Sequence, residues 1–439
     1  MDSSILNFDL PRDRLKIIKV IGVGGGGGNA VTHMYHEGIH DVSFLLCNTD
    51  KQALDRSDVP DQLVLGEAIT EGLGAGNDPK KARKAAQASE QDIRKKLSDG
   101  TKMVFITAGM GGGTGTGAGP VIAQYARDMG ILTVGIVTIP FEFEGEPKIL
   151  QALYGVEAIR KNVDALLVIN NERLLDVYAE EDVETAFAKA DDTLTVAARS
   201  IAEIITAPGK INLDFADVNA TLRNGGVALM SNGYGEGEGR FHVAAEEALN
   251  SPLLNNNNVF KAKRILFNIS YSEDAKLLTG EMKEVRNFMS GFDTTKIKVI
   301  WGLSKDNTLG KKVKMTILAT GFGMNDIPQM DVIYDGDDEE ELTEEEKIRL
   351  IGEFYPFGTA KQDSFRYKMV VLSTDEMDDD ALINQLEESP TFRRDAKFVS
   401  RVREKAFDEK HPDVSGSSAT SSQDGNKNAS SGSKIIYFQ

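Results

Sequence analysis

The sequence predicts an α/β fold in which helices cover both faces of a parallel β-sheet. Three observations support this prediction. Short apolar runs alternate with helical stretches over residues 15–170, and two glycine-rich segments each directly follow one of the apolar runs. A long helical pattern then leads into a second, smaller region with strand signals of its own. Strands that alternate with helices form parallel sheets, which bind ligands at the carboxyl ends of their strands.

The strands of this sheet are predicted at the apolar runs LKIIKVIGV, VSFLLCNTD, MVFIT, ILTVGIVTI and VDALLVIN. Helices are predicted between them at NAVTHMYHEG, PKKARKAAQASEQDIRKKL and PVIAQYARDMG. The chain has 1 cysteine, Cys47, which lies in the second run and cannot form an internal disulfide. We therefore expect Cys47 to be a small core residue of a strand.

A long helix is predicted from residue 183 to about residue 205, because apolar residues recur there at spacings of three and four. These residues are Val183, Phe187, Ala190, Leu194, Ala197, Ile201 and Ile204. The segment APGKINLDFADV ends the helix. Beyond it, the runs RILFNIS, KIKVIWGL and KMTILATGF predict a smaller α+β domain with two helices over residues 224–322.

Composition excludes several classes of protein. The balance of 50 Lys and Arg against 68 Asp and Glu gives a net charge of -18, which argues against non-specific binding to nucleic acid or anionic lipid. The sequence has neither an apolar run of about 20 residues nor the pattern of a signal peptide, so we expect a cytoplasmic protein. The acidic run VIYDGDDEEELTEEEKIRL and the polar end SGSSATSSQDGNKNASSGS predict a disordered linker and tail.

The two glycine-rich segments, GVGGGGGNA and AGMGGGTGTGAGP, fall at the carboxyl ends of two predicted strands. Glycine weakens a regular element by about 0.5–1 kcal/mol relative to alanine, so such clusters indicate a backbone geometry that other residues cannot adopt. Together they would offer two helix N-termini and many N–H donors, enough for a triphosphate, and Thr114 and Thr116 add hydroxyl groups. Neither segment has the lysine of a Walker A motif, so backbone amides and a Mg²⁺ ion would neutralise the phosphates.

A dinucleotide site is the alternative. Gly22, Gly24 and Gly27 satisfy the pattern G-x-G-x-x-G, and Asp50 follows about 20 residues later, which is the fingerprint of NAD-dependent oxidoreductases. That class of site has no use for a second glycine-rich segment on a neighbouring strand.

The motif GGGTGTG at residues 111–117 is the signature of the tubulin superfamily. Over residues 14–322 the chain resembles the bacterial cell-division GTPases of that superfamily, whose motifs occur here in the same order: KVIGVGGGGGNAV, NTDKQAL, GLGAGNDP, AGMGGGTGTGAGP, PFEFEG and NLDFADV. The resemblance implies a Rossmann-like GTPase domain, a long central helix and an α+β C-terminal domain. The expected boundaries are an N-terminal extension 1–13, GTP-binding domain 14–182, central helix 183–206, catalytic loop and following segment 207–223, C-terminal domain 224–322, acidic flexible linker 323–380, partner-binding peptide 381–398 and disordered tail 399–439.

The resemblance also assigns the residues that hold the nucleotide, GTP or GDP. Residues 48–50 and 75–77 resemble further loops near it. The phosphates are expected to bind at Gly25, Gly26, Gly27, Gly28, Asn29, Gly111, Gly112, Gly113, Thr114, Gly115, Thr116 and Gly117.

Four further residues are expected to contact the ribose and the base. Glu144 stands where the family's glutamate bonds the ribose, and Lys148 stands where the family usually has an arginine; a lysine keeps the charge but lacks the planar fork. Phe187 and Asp191 lie on one helix face, where the resemblance has Phe187 stack on guanine and Asp191 accept its hydrogen bonds. ATP would leave this carboxylate unpaired, so we expect a preference for GTP. Periodicity alone does not distinguish this role of Phe187 from that of a core residue, and Asp191 with Asp192 equally suits a solvated surface pair.

The catalytic candidates are Asn212, Asp214 and Asp217 of NLDFADV. The predicted helix before them is about 30 Å long, so they cannot reach a nucleotide bound near its start and must act on a different molecule. The resemblance implies that subunits stack head to tail, and that Asp214 and Asp217 orient and polarise the water attacking the neighbour's γ-phosphate, with Asn212 assisting. In an unrelated sequence such a loop is more often a turn or a helix cap. No side chain is assigned as a metal ligand.

The expected function is therefore that of a GTP-hydrolysing protein that polymerises into filaments at the mid-cell division site. The segment LINQLEESPTFRRDAKF resembles the family's C-terminal peptide, so we expect residues 381–398 to bind membrane-tethering and regulatory partners. We expect no nucleic-acid partner and no direct insertion into the membrane. A tubulin-like scaffold that binds GTP without hydrolysing it is the second alternative.

Overall fold

The structure is a computed structural model. It describes residues 16–39, 41–177, 183–206, 209–211, 213–251, 259–293, 295–322, 347, 351–352 and 354–355, and it describes the backbone alone at residues 175–177, 183–192 and 260. The described residues before Tyr355 belong to one compact unit. The N-terminal extension, most of the acidic linker, and the whole partner-binding peptide and tail that the sequence predicts lie outside these ranges.

The first half of the chain contains the predicted parallel sheet. Its strands are β1 Ile18–Val23, β2 Val42–Asn48, β3 Gln62–Val64, β4 Met103–Gly109, β5 Leu132–Ile139 and β6 Ala165–Asn170. They lie in the order β3-β2-β1-β4-β5-β6, and every neighbouring pair is parallel. Five of them coincide with the predicted runs. The prediction missed β3, an edge strand of 3 residues, which is too short to show a period.

Helices connect these strands. They are α1 Gly24–His36, α2 Lys51–Asp55, α3 Glu67–Thr70, α4 Pro79–Ala88, α5 Glu90–Leu97, α6 Gly113–Asp128, α7 Glu146–Arg160 and α8 Asn171–Val177. The single helix predicted at PKKARKAAQASEQDIRKKL is in fact two, α4 and α5. Ser89 separates them, and its buried hydroxyl accepts a hydrogen bond of 2.8 Å from the Gly66 N–H, which ties the break to the turn before α3.

The predicted long helix is α9, Val183–Thr206, and the shorter α10, Phe215–Leu222, follows it. With 24 residues, α9 spans about 36 Å at 1.5 Å per residue. Its buried residues Leu194, Ala197 and Ile201 belong to a single apolar core. That core also contains Val20 of β1 and Leu318 from the second half of the unit, so α9 packs against both halves.

The second half continues the sheet. Its elements are β7 Gly209–Ile211, β8 Gly226–Gly235, α11 Arg240–Leu249, β9 Arg264–Tyr271, α12 Glu281–Ser290, β10 Lys298–Lys305 and β11 Val313–Thr320. The start of β8 pairs with β6, and the order β8-β11-β9-β10-β7 completes an 11-stranded sheet within the described ranges. The prediction missed β8 because glycines interrupt its pattern. A Cβ at Gly235 would lie 1.8 Å from the Arg240 carbonyl oxygen, so the glycine lets α11 pack on the strand.

No helix in the described part of the chain has the length and apolarity needed to cross a bilayer.

The buried thiol of Cys47 gives a first prediction. Burial, followed by the charge of Asp61, raises its pKa from 9.0 to about 12. Since the thiolate is the reactive form, we expect native protein to resist iodoacetamide at pH 8 and protein unfolded in urea to react readily. The thiol keeps its proton to a higher pH in the folded state than in the unfolded state. The contribution of Cys47 to the stability of the folded state is therefore complete below pH 9 and is lost as the pH rises towards 12. Mass spectrometry after timed alkylation measures this; rapid native labelling at pH 8 would contradict it.

Candidate functional site

Two helices begin at the carboxyl edge of the parallel sheet. α1 starts at Gly24 directly after β1, and α6 starts at Gly113 shortly after β4, the strand next to β1. The placement of both glycine-rich segments at this edge is confirmed. The glycines, however, mostly form first helical turns rather than loops, so both helices direct their unpaired N–H groups to the same edge.

Backbone contact holds these two helix starts together. Gly24 has φ +73°, and a Cβ placed on it would lie 2.9 Å from the Gly115 nitrogen. A Cβ on Gly115 would lie 2.5 Å from the Gly109 carbonyl oxygen. A larger residue at position 24 would therefore separate the two helix starts, and one at position 115 would push α6 away from β4.

Two groups of glycines differ in what a Cβ would meet. The first group packs against backbone: a Cβ would lie 2.2 Å from the Thr107 oxygen at Gly27 and 2.1 Å from the Pro79 oxygen at Gly117. The second group faces open space, with nothing within 4 Å of a Cβ; its members include Gly25, Gly28 and Gly112. The remaining candidates are close to neighbours, at 3.4 Å for Gly26, 3.0 Å for Gly111 and 2.9 Å for Gly113. The second group leaves bare backbone that a ligand can approach.

The two threonines of the second segment differ in role. The hydroxyl of Thr114 lies 2.7 Å from the hydroxyl of Thr49 and joins this segment to the end of β2. The hydroxyl oxygen of Thr116 accepts a hydrogen bond of 2.9 Å from the Gly111 N–H, and Thr116 is buried. Thr116 therefore closes the turn before α6, whereas Thr114 is half-buried in the first turn of that helix.

A cavity of about 430 Å³ opens beside the first glycine segment. It lies between α1, the end of β2 and α2. Its lining includes Gly25, Gly28, Asn29, Thr32, Asn48 and Ser57. Asn29 thus shares a cavity wall with two of the glycines that face open space.

Glu144 and Lys148 form an ion pair beside the second glycine segment. The other carboxylate oxygen of Glu144 accepts a hydrogen bond of 2.9 Å from the Phe141 N–H, which fixes its orientation. A Cβ on Gly111 would lie 3.0 Å from the Lys148 Cγ, so the pair borders the turn before α6. The Lys148 side chain is 42% exposed and can turn towards an anionic ligand.

Two residues at this edge escaped the sequence analysis. Asn171 begins α8 and is buried, yet its Oδ1 has no hydrogen-bond partner in the part of the chain described. A buried polar atom without a partner is costly, so this amide suits a ligand that supplies one. Gln151 donates a hydrogen bond of 2.9 Å to the Gly111 carbonyl. Asn171 could have been found by the rule used for the glycines, since it directly follows a predicted strand.

Asp214 and Asp217 cap the N-terminus of α10. The Asp217 N–H donates to Asp214 Oδ1 at 3.0 Å, and the Asp214 N–H donates to Asp217 Oδ2 at 3.2 Å. This reciprocal pair is a capping box. Each side chain has its second carboxylate oxygen outside the box. The helix cap that the sequence suggested as an alternative is therefore present, and it leaves one carboxylate oxygen of each aspartate for other contacts.

The remaining predicted site residues are only partly described. Phe187 and Asp191 lie in α9, but their side chains fall outside the described structure. Asn212 lies outside the described residues altogether. The alternative acidic residue Asp50 caps α2, accepting a hydrogen bond of 3.1 Å from the Ala53 N–H.

Two glycine-rich helix starts at one sheet edge, followed by a long helix and a continuation of the same sheet, are the architecture of a GTPase of the tubulin type. Residues 17–179 match the Tubulin/FtsZ family, GTPase domain, and residues 226–323 match the FtsZ family, C-terminal domain. The chain is 55% identical over 419 residues to Cell division protein FtsZ of Porphyromonas gingivalis, covering 92% of this chain and 91% of the relative. It is 42% identical over 318 residues to the protein of the same name from Wigglesworthia glossinidia brevipalpis, covering 72% and 82%.

Solved structures agree. An empty FtsZ dimer of M. jannaschii has a TM-score of 0.64 at 39% identity, over 69% of this chain and 88% of that one. A GDP-bound monomer of CetZ1 from Haloferax volcanii, at 19% identity and a TM-score of 0.60 over 70% of this chain and 94% of that one, shares the fold. The chain belongs to the FtsZ family and is a cell-division GTPase that binds GTP and GDP. An NAD-dependent oxidoreductase is excluded.

Two neighbouring glycines of α1 provide a matched test of the two groups. Gly27→Ala places a methyl group against the Thr107 carbonyl, and we expect it to lower the free energy of unfolding by about 3 kcal/mol. Gly28→Ala meets nothing, and we expect it to gain about 0.5–1 kcal/mol from helix propensity. Urea unfolding without nucleotide measures both. Equal effects of the two substitutions would contradict the division into groups.

Proposed function

We propose that the chain polymerises head to tail and that GTP is hydrolysed where two subunits meet. In this proposal, Asp214 and Asp217 of one subunit complete the nucleotide site of the next. The supporting observation is that the glycine-rich helix starts lie at the carboxyl ends of the parallel strands, here called the glycine edge, whereas α10 ends at the amino ends of the strands. Arg223, directly after α10, donates to Asp164 Oδ2 at 3.1 Å, and Asp164 precedes the amino end of β6.

Distance supports a site that is shared between two subunits. The glycine turns follow the carboxyl ends of β1 and β4, while α10 ends beside the amino end of β6. The adjacent β5 has 8 residues and spans about 26 Å at about 3.3 Å per residue. A carboxylate must come within hydrogen-bond reach of the attacking water, about 3 Å. Contact between the carboxyl edge of one copy and the amino edge of the next removes this gap, and repetition of the same contact yields a filament.

The aspartates suit the chemistry of phosphoryl transfer, which depends on positioning the water and stabilising charge. The capping box fixes one oxygen of each carboxylate. The second oxygen can then accept a hydrogen bond from water without losing the orientation that the cap imposes. In the proposed site Asn212 assists these two residues.

The nucleotide is proposed to lie across the glycine edge with its phosphates at the two helix starts. Glu144 and Lys148 would hold the ribose, Phe187 would stack on guanine, and Asp191 would accept its N1–H and amine hydrogens. Asn171 would supply an additional polar contact through its unpartnered oxygen.

A Mg²⁺ ion would fit this site with the phosphates of the nucleotide, rather than protein side chains, as its ligands. No group of three metal-ligating side chains occurs among the residues that the structure covers. Mg²⁺ usually binds nucleotides through phosphate oxygens and water, with few protein ligands. When bound it would neutralise phosphate charge, while the N–H groups of α1 and α6 and the hydroxyl of Thr114 hold the phosphate oxygens.

The cellular part of the proposal concerns place and partners. The protein would act in the cytoplasm at the mid-cell division site, without nucleic acid and without inserting into the membrane. Membrane-tethering and regulatory proteins would bind residues 381–398, where the motif resembles the family's C-terminal peptide.

The test of the proposal is the rate of GTP hydrolysis per subunit against protein concentration, with Mg²⁺ present. We expect almost no turnover below a threshold concentration and a rise above it, because the site is completed only between subunits. A constant rate at all concentrations would place the whole site in one chain. Binding without turnover at any concentration would favour the scaffold alternative.

Substitutions that keep the helix cap separate capping from catalysis. Asp217→Asn retains an oxygen to accept from the Asp214 N–H but loses the charge, so we expect hydrolysis to fall by about 10²-fold or more with an unchanged melting temperature. Asp217→Ala removes both and should also lower the melting temperature. Asp293→Asn is the matched control, since Asp293 accepts from the Thr295 N–H at 3.2 Å in an exposed turn elsewhere. Retained hydrolysis in Asp217→Asn would remove the catalytic assignment.

A further inference from the structure

The segment that carries Asp214 and Asp217 packs, just before α10, on the C-terminal sheet, which here means strands β7–β11 of the 11-stranded sheet. Leu213, directly before Asp214, is buried against β10 at Gly302. A Cβ on Gly302 would lie 2.6 Å from both Cγ and Cδ1 of Leu213. Leu213 therefore occupies the space that any larger residue at position 302 would need.

On the neighbouring strand, the residue beside Gly302 is Asn268, and hydrogen bonds hold its side chain in place. Asn268 on β9 is the register partner of Gly302, and its Oδ1 would lie 2.9 Å from a Cβ there. Its Nδ2 donates to Ser304 at 2.7 Å and to Ser270 at 3.1 Å, and all three residues are buried. A methyl group on Gly302 would therefore displace Leu213 rather than Asn268.

A second attachment holds the other end of α10. Thr320 on β11 and Arg264 on β9 are paired across neighbouring strands, so they lie side by side in the sheet. The Thr320 hydroxyl donates to the Thr221 carbonyl at 2.8 Å. Arg264 donates to the carbonyls of Thr221 at 3.3 Å and Arg223 at 2.8 Å. These carbonyls belong to the C-terminal end of the helix, where a cation is also favoured by the helix dipole.

We infer that Gly302 and Arg264 are positioning residues for GTP hydrolysis: Gly302 seats Leu213, Arg264 holds the end of α10, and together they set where Asp214 and Asp217 stand. This inference rests on the proposed function, in which those aspartates complete the neighbour's site. α10 has 8 residues and is about 12 Å long. Because so short a helix moves as a rigid body, a shift at either attachment also moves the aspartates. A misplacement of about 1 Å can cost about 10²-fold in rate.

The first experiment compares Gly302→Ala with Gly280→Ala in the full chain. Gly280 lies in the same half of the unit, before α12, and a Cβ there meets nothing within 4 Å. For each variant we would measure GTP affinity below the assembly threshold, the amount of sedimented polymer, and the hydrolysis rate per polymerised subunit. We expect Gly302→Ala to bind GTP normally and to hydrolyse it about 10–100-fold more slowly per polymerised subunit. Gly280→Ala should match the unmodified chain in all three.

A double-mutant cycle tests the contact itself. Leu213→Ala removes the atoms that collide with the new methyl group, so Gly302→Ala combined with Leu213→Ala should hydrolyse GTP faster than the product of the two single effects predicts. Purely multiplicative effects would overturn the seating of Leu213 by Gly302.

Arg264 supplies an independent variant should Gly302→Ala fail to fold. Arg264→Met removes the donors and the charge, whereas Arg264→Lys keeps a charged donor. We expect the hydrolysis rate per polymerised subunit to fall about tenfold or more in Arg264→Met and to recover partly in Arg264→Lys, with GTP affinity unchanged in both. A residue with a purely structural role would lower the melting temperature and leave the rate per polymerised subunit unchanged below it; that result would overturn the inference.

Failure of the inference is distinct from failure of the proposed function. If Asp217→Asn abolishes hydrolysis while Gly302→Ala and Arg264→Met retain it, the aspartates are catalytic and the positioning inference is wrong. If Asp217→Asn retains full hydrolysis, the proposed function itself is wrong.

Discussion

Backbone contact at glycine is the constraint on which the nucleotide edge depends. Gly27 lies on the carbonyl of Thr107, and Gly115 lies on the carbonyl of Gly109, both at distances that leave no room for a Cβ. These contacts bring α1 and α6 down onto β4, so that two sets of unpaired N–H groups meet at one edge. The converging N–H dipoles favour an anionic group at this edge although neither glycine segment contains a lysine.

The opposite edge is built by side chains instead. Asp164, almost fully buried, accepts hydrogen bonds from Arg223 and from the Thr133 N–H, while Arg264 and Thr320 reach the same helix end from the C-terminal sheet. A buried carboxylate is stable only when it is paired in this way. Hydrogen bonds from both halves of the unit thus hold the end of α10 in place. A filament that joins the two edges would bring a stiff backbone surface against a helix whose position side chains determine.

Periodicity in the sequence predicted most of the elements and little of the detail. The parallel strands and α9 were predictable because their apolar residues recur regularly, whereas β3 and β7 have 3 residues each and show no period. The break at Ser89 depends on a hydrogen bond to Gly66, 23 positions away, which no local pattern reveals. In the five-glycine run, position alone cannot separate Gly27, which packs, from Gly28, which faces open space. That distinction depends on which strand lies beneath each residue, and it is visible only in the assembled fold.

The aspartates show why a structural and a catalytic reading of one motif need not compete. From sequence, D-x-x-D before a short helix is explained fully by a capping box, and the structure contains that box. A cap, however, requires only one oxygen of each carboxylate, and Ser, Thr or Asn would serve at the first position. The negative charge of Asp214 is thus more than the cap needs. The reciprocal cap orients both carboxylates within a single subunit, so in the proposed filament they would need no reorientation when a neighbour binds. The cap therefore reduces the reorganisation that a water-orienting pair would otherwise undergo on assembly, which is the role that preorganisation has in catalysis.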